Sequence, residues 1–482
     1  MRKKFATNLI FLFAVNLIVK PFWIFGIDRV VQNRIGTTDY GLYFALFNYS
    51  FLFSIILDFG INNFNNRAIS RNPKRLGEYW LNLMVIKFFL ALFYFMLTFL
   101  SASLSGYNDM QLKMLLVLLI NQILLSAVLY FRSNLAALQL FKIDSVISVL
   151  DRLLTIGFCL ILLYHSAFKD SFNILYFIYA QTAALFITAF VAGLIVAGRT
   201  VVRFSIWKMK FSKKILLKSA PFAVLALLMG IYYRIDGVMI ERMLPDGKNE
   251  AGIYAASFRL LDAINQFGFL FATLLLPMFA GMIRRKENLN QLIKFSAELM
   301  FVMSVIVASN CYFFRNEIMN LLYDQSTAYW SEIFGLLMIT FIPMSSVFIF
   351  GTLLTAHGSL KVLNLIAVAG MILNICLNLF LIPKYGALGA TFATLVTQII
   401  VAAIHFMVAY RQFGFDFDRI DALKISGFIF TCIITLTLAT KIQVSWATEF
   451  VLSLVVSLLF AIIFKLIPIN QLFVLVKAKV AS

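Results

Sequence analysis

Charge is scarce in this chain. Only 13% of its 482 residues are Asp, Glu, Lys or Arg, while 62% are hydrophobic, and no soluble core can absorb that much apolar surface. Histidine is nearly missing. His165, His357 and His405 stand far apart, with no HExxH, no phosphate-binding glycine loop and no paired cysteines, so metal and nucleotide chemistry lack ligands and no cofactor is expected. The four cysteines, Cys159, Cys311, Cys376 and Cys432, lie singly in or near apolar stretches without a CxxC and read as packing residues. Nothing here points to an enzyme.

What the chain has instead is long apolar runs. At about 20 residues per span they divide it into about fourteen helices, with spans expected at 5–27, 42–65, 79–101, 112–131, 146–164, 172–197, 215–240, 251–280, 291–314, 332–356, 362–382, 387–410, 423–440 and 447–467. The unbroken runs exclude a β-barrel, and the fold class is an all-α polytopic membrane protein. The N-terminus has the basic start and apolar stretch of a signal peptide, but Asn8, Asn16 and Lys20 interrupt it and no small-residue cleavage site follows, so it reads as helix one.

The net charge of +19 falls on alternate loops. Arg2, Lys3 and Lys4, then Arg67, Arg71, Lys74 and Arg75, then Arg132 and Lys142, the run from Arg199 to Lys218, then Arg284, Arg285 and Lys286, and finally Lys477 and Lys479 share one side. The other side carries mixed or acidic charge such as Asp28, Arg29, Asp109, Asp246 and Glu250. The positive-inside rule then places both termini in the cytoplasm, and a nucleic-acid partner is not called for. The stretch from Arg199 to Lys218 has no acidic residue and is expected to lie on the inner surface with Phe204, Trp207 and Phe211 dipping in. The organisation expected is a six-helix bundle over 1–198, a basic cytoplasmic linker over 199–214, a second six-helix bundle over 215–411, and two further helices with a cytoplasmic tail over 412–482.

A repeat supports that division. Gly36-Thr-Thr-Asp39-Tyr-Gly41-Leu42-Tyr43, between spans one and two, matches Gly247-Lys-Asn-Glu250-Ala-Gly252-Ile253-Tyr254, between spans seven and eight. The glycines are read as permitting the turn, the acid as capping the next helix and the tyrosine as lying at the membrane interface. A weaker echo, Ala137 to Lys142 against Ala356 to Lys361, also falls six helices apart, which gives two bundles in parallel repeat.

Charges inside the spans mark the region that matters. The stretch Lys218 to Gly281 is a hairpin in which Arg234 and Asp236 interrupt one helix and Arg259 and Asp262 the next, the second ending at Pro277. The turn between them sets both arginines roughly 10 to 12 Å below one surface, and a charge in that position is expected to face a bundle interior or a watery cavity. Arg234 and Asp236 point about 200° apart on a helix, so they do not neutralise one another. Arg259 and Asp262 are i, i+3 and can pair on one face, the competing reading being a structural ion pair. Lys20, on the first helix of the first half and followed by Pro21, lies at comparable depth; snorkelling to the headgroups is its competing reading. Asp58 and Lys87 are read as inner-end residues that cap or snorkel, and Asp151, Arg152 and Glu298 as inner-end structural charges. Pro21, Pro221, Pro277 and Pro343 permit kinks.

The basic start and first span, the GxxDxGLY turn, Asp58-Phe59-Gly60 closing span two, the Pro221 to Asp236 span, the Gly252-Ile-Tyr start with Pro277 closing span eight, and Ile382-Pro-Lys-Tyr-Gly386-Ala-Leu-Gly389-Ala390 opening span twelve together resemble the Wzx-type polysaccharide flippases. Those belong to the superfamily of multidrug, oligosaccharidyl-lipid and polysaccharide exporters, with the toxic-compound extruders and lipid II flippases. The resemblance covers nearly the whole chain. It implies a V-shaped bundle of the inner membrane that alternates between inward-open and outward-open forms and moves an undecaprenyl-pyrophosphate-linked oligosaccharide to the outer leaflet, among membrane lipids and alongside polysaccharide polymerase machinery. By the same resemblance, Lys20, Arg234 and Arg259 would hold the anionic head. Asp236 and Asp262 would bind a coupling proton or cation. A cation-coupled multidrug antiporter of the same fold is the alternative, disfavoured by the prevalence of cations over acids. A membrane glycosyltransferase or polymerase is further off, because the longest outer loop runs only from Arg315 to Ser331.

Overall fold

The computed structural model describes residues 16, 18–72, 76–199, 209–416, 418–439 and 444–466. Every regular element among them is helical, as a backbone that must satisfy itself in lipid requires. They form two compact units, residues 1–252 and 253–482, whose boundary lies inside a helix.

In the first unit a helical stretch over residues 18–22 passes into a π-helical one, Trp23–Asp28, that continues as α1 (Arg29–Ile35). The first span therefore runs on past residue 27. Asp28, expected on a loop, is buried and accepts the Tyr40 hydroxyl at 2.5 Å. After Gly36 comes α2 (Thr37–Leu52), but the expected second span is not one helix. A 3-10 turn covers Ser54–Leu57, and Phe59 and Gly60, at φ 45° and 80°, redirect the chain into α3 (Ile61–Arg71). Glycine takes that conformation freely, whereas Phe59 pays about 1–2 kcal/mol for it.

Next come α4 (Leu76–Leu104), α5 (Asp109–Ala137), α6 (Phe141–Tyr164), the short α7 (Ser166–Lys169), α8 (Ile174–Ala197) and α9 (Met209–Met243). Asn108 and Gln111 cap α5 reciprocally, each side chain accepting the other's backbone N–H at 2.9 Å. Helix α9 begins at Met209, so the backbone at Phe211, assigned by sequence to a surface linker, is already helical; Phe204 and Trp207 lie outside the described residues.

Within this unit α5 is the hub, touching α2, α3, α4, α6 and α8, while α9 lies along α2. Ile61 and Ile69 of α3, Leu83 and Ile86 of α4, Val128 and Leu135 of α5 and Ile147 of α6 form its core. The outer face is equally apolar: Phe88, Phe89, Phe93 and Met96 of α4 are exposed. With lipid as solvent, apolar burial no longer discriminates inside from outside, and polar contacts between helices do. Asn65 of α3 donates to Ser133 at 2.8 Å and to Asn134 at 3.0 Å on α5.

The second unit takes most of α10 (Gly247–Arg285), then α11 (Asn290–Phe313), α12 (Arg315–Leu322), α13 (Ala328–His357), α14 (Leu360–Tyr385), α15 (Ala387–Phe413), α16 (Arg419–Ala439) and α17 (Trp446–Ile463). Pro277 does not close its span; α10 runs through it to Arg285, and Pro343 and Pro383 are likewise inside α13 and α14. A proline forfeits one hydrogen bond, yet leaving the helix within lipid would forfeit several. Helix α13 packs on α11 and α15, α14 on α15, and the pair α16 and α17 on α11. Leu275 and Phe279 anchor α10 against Ile349, Phe350 and Leu353 of α13.

Eleven helices among the described residues are long and apolar enough to cross a membrane, against about fourteen expected at this span length. The other three expected spans are the first, described in part, the second, which is broken, and the thirteenth, whose apolar part is the shorter Leu423–Ala439.

Candidate functional site

In the first unit the intramembrane charges of α9 are placed by a glycine. A Cβ on Gly237 would come within 2.6 Å of the Phe44 ring and 2.7 Å of Asn48 Nδ2, so only glycine lets α9 lie this close to α2. That contact turns Asp236 inward, 2% exposed, and leaves Arg234 half-buried, in keeping with their opposed directions. The guanidinium carbon of Arg234 stands 5.4 Å from the Phe51 ring centre and 5.2 Å from that of Tyr233, a cation–π arrangement that favours a weakly hydrated cation.

Lys20, half-buried, has a different neighbourhood. Arg152, Arg132 and Asp151 lie within electrostatic range of its ammonium. The Arg152 guanidinium lies 5.3 Å over Trp23, its Nε is 3.5 Å from Asp151, and Arg132 Nε donates to Asp144 at 2.8 Å. Three cations thus share a region with two carboxylates. Sequence reasoning placed Lys20 in a functional site but assigned Arg152 to a helix end. The signal it could have used is the Asp151-Arg152 pair within an otherwise apolar run.

The break between α2 and α3 holds a further buried charge. Lys87 of α4, 9% exposed, donates to the Leu57 carbonyl at 2.9 Å and to Ser126 Oγ at 3.1 Å, and lies 3.5 Å from Asp58 Oδ1. Asp58 also accepts the Asn62 N–H at 3.1 Å. It therefore caps α3, while Lys87 turns inward instead of snorkelling. The carbonyl that the break releases from its helix is answered by an ammonium.

The two matching turns meet. A Cβ on Gly41 would overlap Lys248 O and lie 2.5 Å from Gly252 N; one on Gly252 would overlap Thr37 O. Gln32 Nε2 donates to Gly252 O at 2.9 Å, and Thr37 hydrogen-bonds Asn249. The cap of α2 is Gly36, so Asp39 sits in the first turn without capping through its side chain, where it still favours the helix dipole. Tyr43 is buried and hydrogen-bonded to Gln181.

In the second unit Tyr254 is buried too, stacked on Phe258 at 5.5 Å. Arg259 and Asp262 are half-buried on α10 among the buried Phe258, Leu260, Leu261 and Ala263. The helix is positioned there by Tyr323, whose hydroxyl donates to Ala256 O at 3.2 Å, and by Asn265, which donates to Met344 Sδ at 3.6 Å. Gly268 presses on the Phe348 ring of α13.

Residues 5–283 match the family described as polysaccharide biosynthesis protein. An uncharacterised membrane protein of Methanocaldococcus jannaschii is 23% identical over 404 residues, 75% of either chain. The lipid III flippase of Escherichia coli K12 is 23% identical over 214 residues, 43% of this chain and 51% of that one, so the chain spans about half the length of that relative. Among solved structures, the lipid II flippase MurJ in an inward closed conformation superposes with a TM-score of 0.73 at 14% identity, over 94% of this chain and 98% of that one. An inward-facing multidrug resistance MATE family transporter of the MOP superfamily gives 0.64 at 13%, over 84% and 98%. At such identities the structures share the fold.

Proposed function

We propose that this chain, which belongs to the polysaccharide biosynthesis protein family, is an inner-membrane flippase that carries an undecaprenyl-pyrophosphate-linked oligosaccharide between leaflets by alternating access. The observation that carries the reading is a guanidinium, Arg234, held within an apolar span over Phe51. A guanidinium can meet a phosphate with two parallel N–H donors. Lys20 and Arg259 are the other cations assigned to the anionic head, and Asp236 and Asp262 the groups assigned to a coupling proton or cation. The similarity to a lipid III flippase supports a lipid-linked substrate. Polysaccharide polymerase machinery would take the product. The likeness to a multidrug transporter fold favours one second reading, a cation-coupled antiporter.

The test compares Arg234→Ala, Arg259→Ala and Lys20→Ala for purified yield, thermal midpoint and restoration of surface polysaccharide in a strain lacking its flippase. Loss of complementation at normal yield and midpoint is expected, with partial activity retained by Arg→Lys because charge survives and the fork does not. A loss of yield instead would indicate a structural ion pair, whose breakage costs about 3–5 kcal/mol. Full complementation by all three alanine variants would overturn the reading in favour of the antiporter.

A further inference from the structure

We propose that a slot in the first unit, beginning beside Arg234, takes up the head-proximal part of the carried lipid's prenyl chain; this rests on the flippase reading above. The slot is a cavity of about 220 Å³ formed where the second span breaks, between the Phe51–Asn62 segment, α5 and α9. Its wall begins at Phe51, the ring under the Arg234 guanidinium, and at Gly230, one helical turn before Arg234 on α9.

The polar side chains of the wall are engaged with the protein. Ser54 Oγ donates to Phe51 O at 2.7 Å, Ser126 Oγ to Leu57 O at 3.2 Å and Gln122 Nε2 to Ser50 Oγ at 3.3 Å, while Asp58 serves Asn62 N–H and Lys87. What remains toward the space is mostly hydrocarbon, from Phe51, Leu52, Ile55, Leu125 and Leu227, with the partly exposed Asp58 carboxylate at the end away from Phe51. Asn62 is a further exception. Its carboxamide oxygen has no hydrogen-bond partner among the described residues, and it lies in the first turn of α3, at the far end of the segment from Phe51. Leu129 and Ala226 are exposed, so the slot opens sideways.

A cation at one end and an apolar body behind it match an amphiphile whose charge sits at one tip. The sign of that charge excludes a cationic drug from this pose, and a pyrophosphate on Arg234 directs the attached chain down the wall of Phe51. A dry cavity of about 150 Å³ holds one benzene ring, so this one holds about one to two isoprene units. The remainder of a polyprenyl chain would leave past Leu129 and Ala226 into lipid. Gly230 keeps the slot open: a Cβ there would meet only the Phe51 ring, at 4.0 Å, so a larger side chain has room to enter and would occupy the space.

The experiment photolabels the full-length protein in phosphatidylglycerol-containing nanodiscs with geranyl pyrophosphate bearing a diazirine on its first isoprene unit. Gly230→Leu and Ala226→Phe fill the slot from two positions, Gly230→Ala leaves it open, and thermal midpoints verify folding. Labelling of the Phe51–Asn62 peptide, competed by farnesyl pyrophosphate and not by farnesol or added phosphatidylglycerol, is expected to fall by about tenfold or more in both filled variants and to persist in Gly230→Ala. Pyrophosphate-competed labelling that either folded filled variant leaves unchanged overturns the slot alone. Competition by phosphatidylglycerol overturns it in favour of an ordinary acyl chain. Absence of any pyrophosphate-competed labelling of the wild type overturns the flippase reading and the slot together.

Discussion

Replacing Gly41 by alanine should destabilise the first unit. The new Cβ would overlap Lys248 O and sit 2.5 Å from Gly252 N, whereas comfortable contact needs about 3.5 Å. Both obstacles are backbone atoms, so no side chain can swing away, and the two turns must separate by about 1.5 Å to clear Lys248 O. Overpacking of this kind costs about 1–3 kcal/mol. The separation also removes the 2.9 Å bond from Gln32 to Gly252 O, worth about 0.5–1.5 kcal/mol. A total of about 2–4 kcal/mol, at about 2–4 °C per kcal/mol for a unit of this size, lowers the melting midpoint by about 4–16 °C. Detergent-solubilised fusion protein, heated and followed by fluorescence size-exclusion chromatography, measures it. Gly157→Ala is the control: nothing lies within 4 Å of a Cβ there, so a helical glycine-to-alanine change should gain about 0.5–1 kcal/mol. Gly252→Ala should behave as Gly41→Ala does, and the double variant should lose less than the sum, because the first separation makes room for the second methyl. A Gly41→Ala protein melting within about 2 °C of wild type would refute the close approach.

Two further outcomes follow from the charges. Lys87→Met removes the ammonium from Leu57 O, Ser126 and Asp58; the Asp58 side chain keeps 29% exposure, so the loss should be about 2 kcal/mol, below that of a fully buried pair, and Lys87→Met with Asp58→Asn should recover part of it in the same melting assay. No loss in Lys87→Met would show that the break holds without its ammonium. Asp421, at the start of α16, is buried, which works against its charge, but the Lys294 ammonium, the Asp418 N–H and Lys424 outweigh burial and hold its carboxyl below the usual range. A depressed folded value means the stabilisation is present above the unfolded pKa of about 3.9 and disappears as pH falls through the lower folded one. The wild-type midpoint should therefore drop more steeply than that of Asp421→Asn between about pH 5 and pH 3, and parallel curves would dismiss the contribution.

Hydropathy made the helices legible, because lipid leaves the backbone one open-ended solution, but it could not say where a helix stops. Asp58-Phe59-Gly60 was visible as a motif and read as the end of span two. In the structure it is an interruption, after which the chain is redirected into the helix α3; the polar Asn62, Asn63, Asn65 and Asn66 that follow look like a loop to any scale of transfer energy. Pro277 misled in the opposite direction. Proline ends helices in water, where a freed carbonyl finds solvent, whereas in an apolar span the helix absorbs one lost bond and carries on to Arg285.

The charges divide in the same way. Their expected depth was counted from the turns, and Arg234 is half-buried on a long apolar helix. Depth does not determine direction. Lys20 and Lys87 both stand near span ends, where snorkelling competes with burial, and only the neighbouring helices decide between them. Lys87 has a broken helix beside it offering Leu57 O, so it turns inward. The glycines give the sharpest case. The repeat at Gly36 and Gly247 and at Gly41 and Gly252 was plain in the sequence, and conformational freedom was the natural reason for it. Of these four only Gly36, at φ 84°, uses that freedom. Gly41 and Gly252 have helical backbones and are glycine because another backbone occupies the place of their side chains. A requirement for absent volume and a requirement for positive φ leave the same letter in a sequence. Only the packing of two segments more than two hundred residues apart tells them apart.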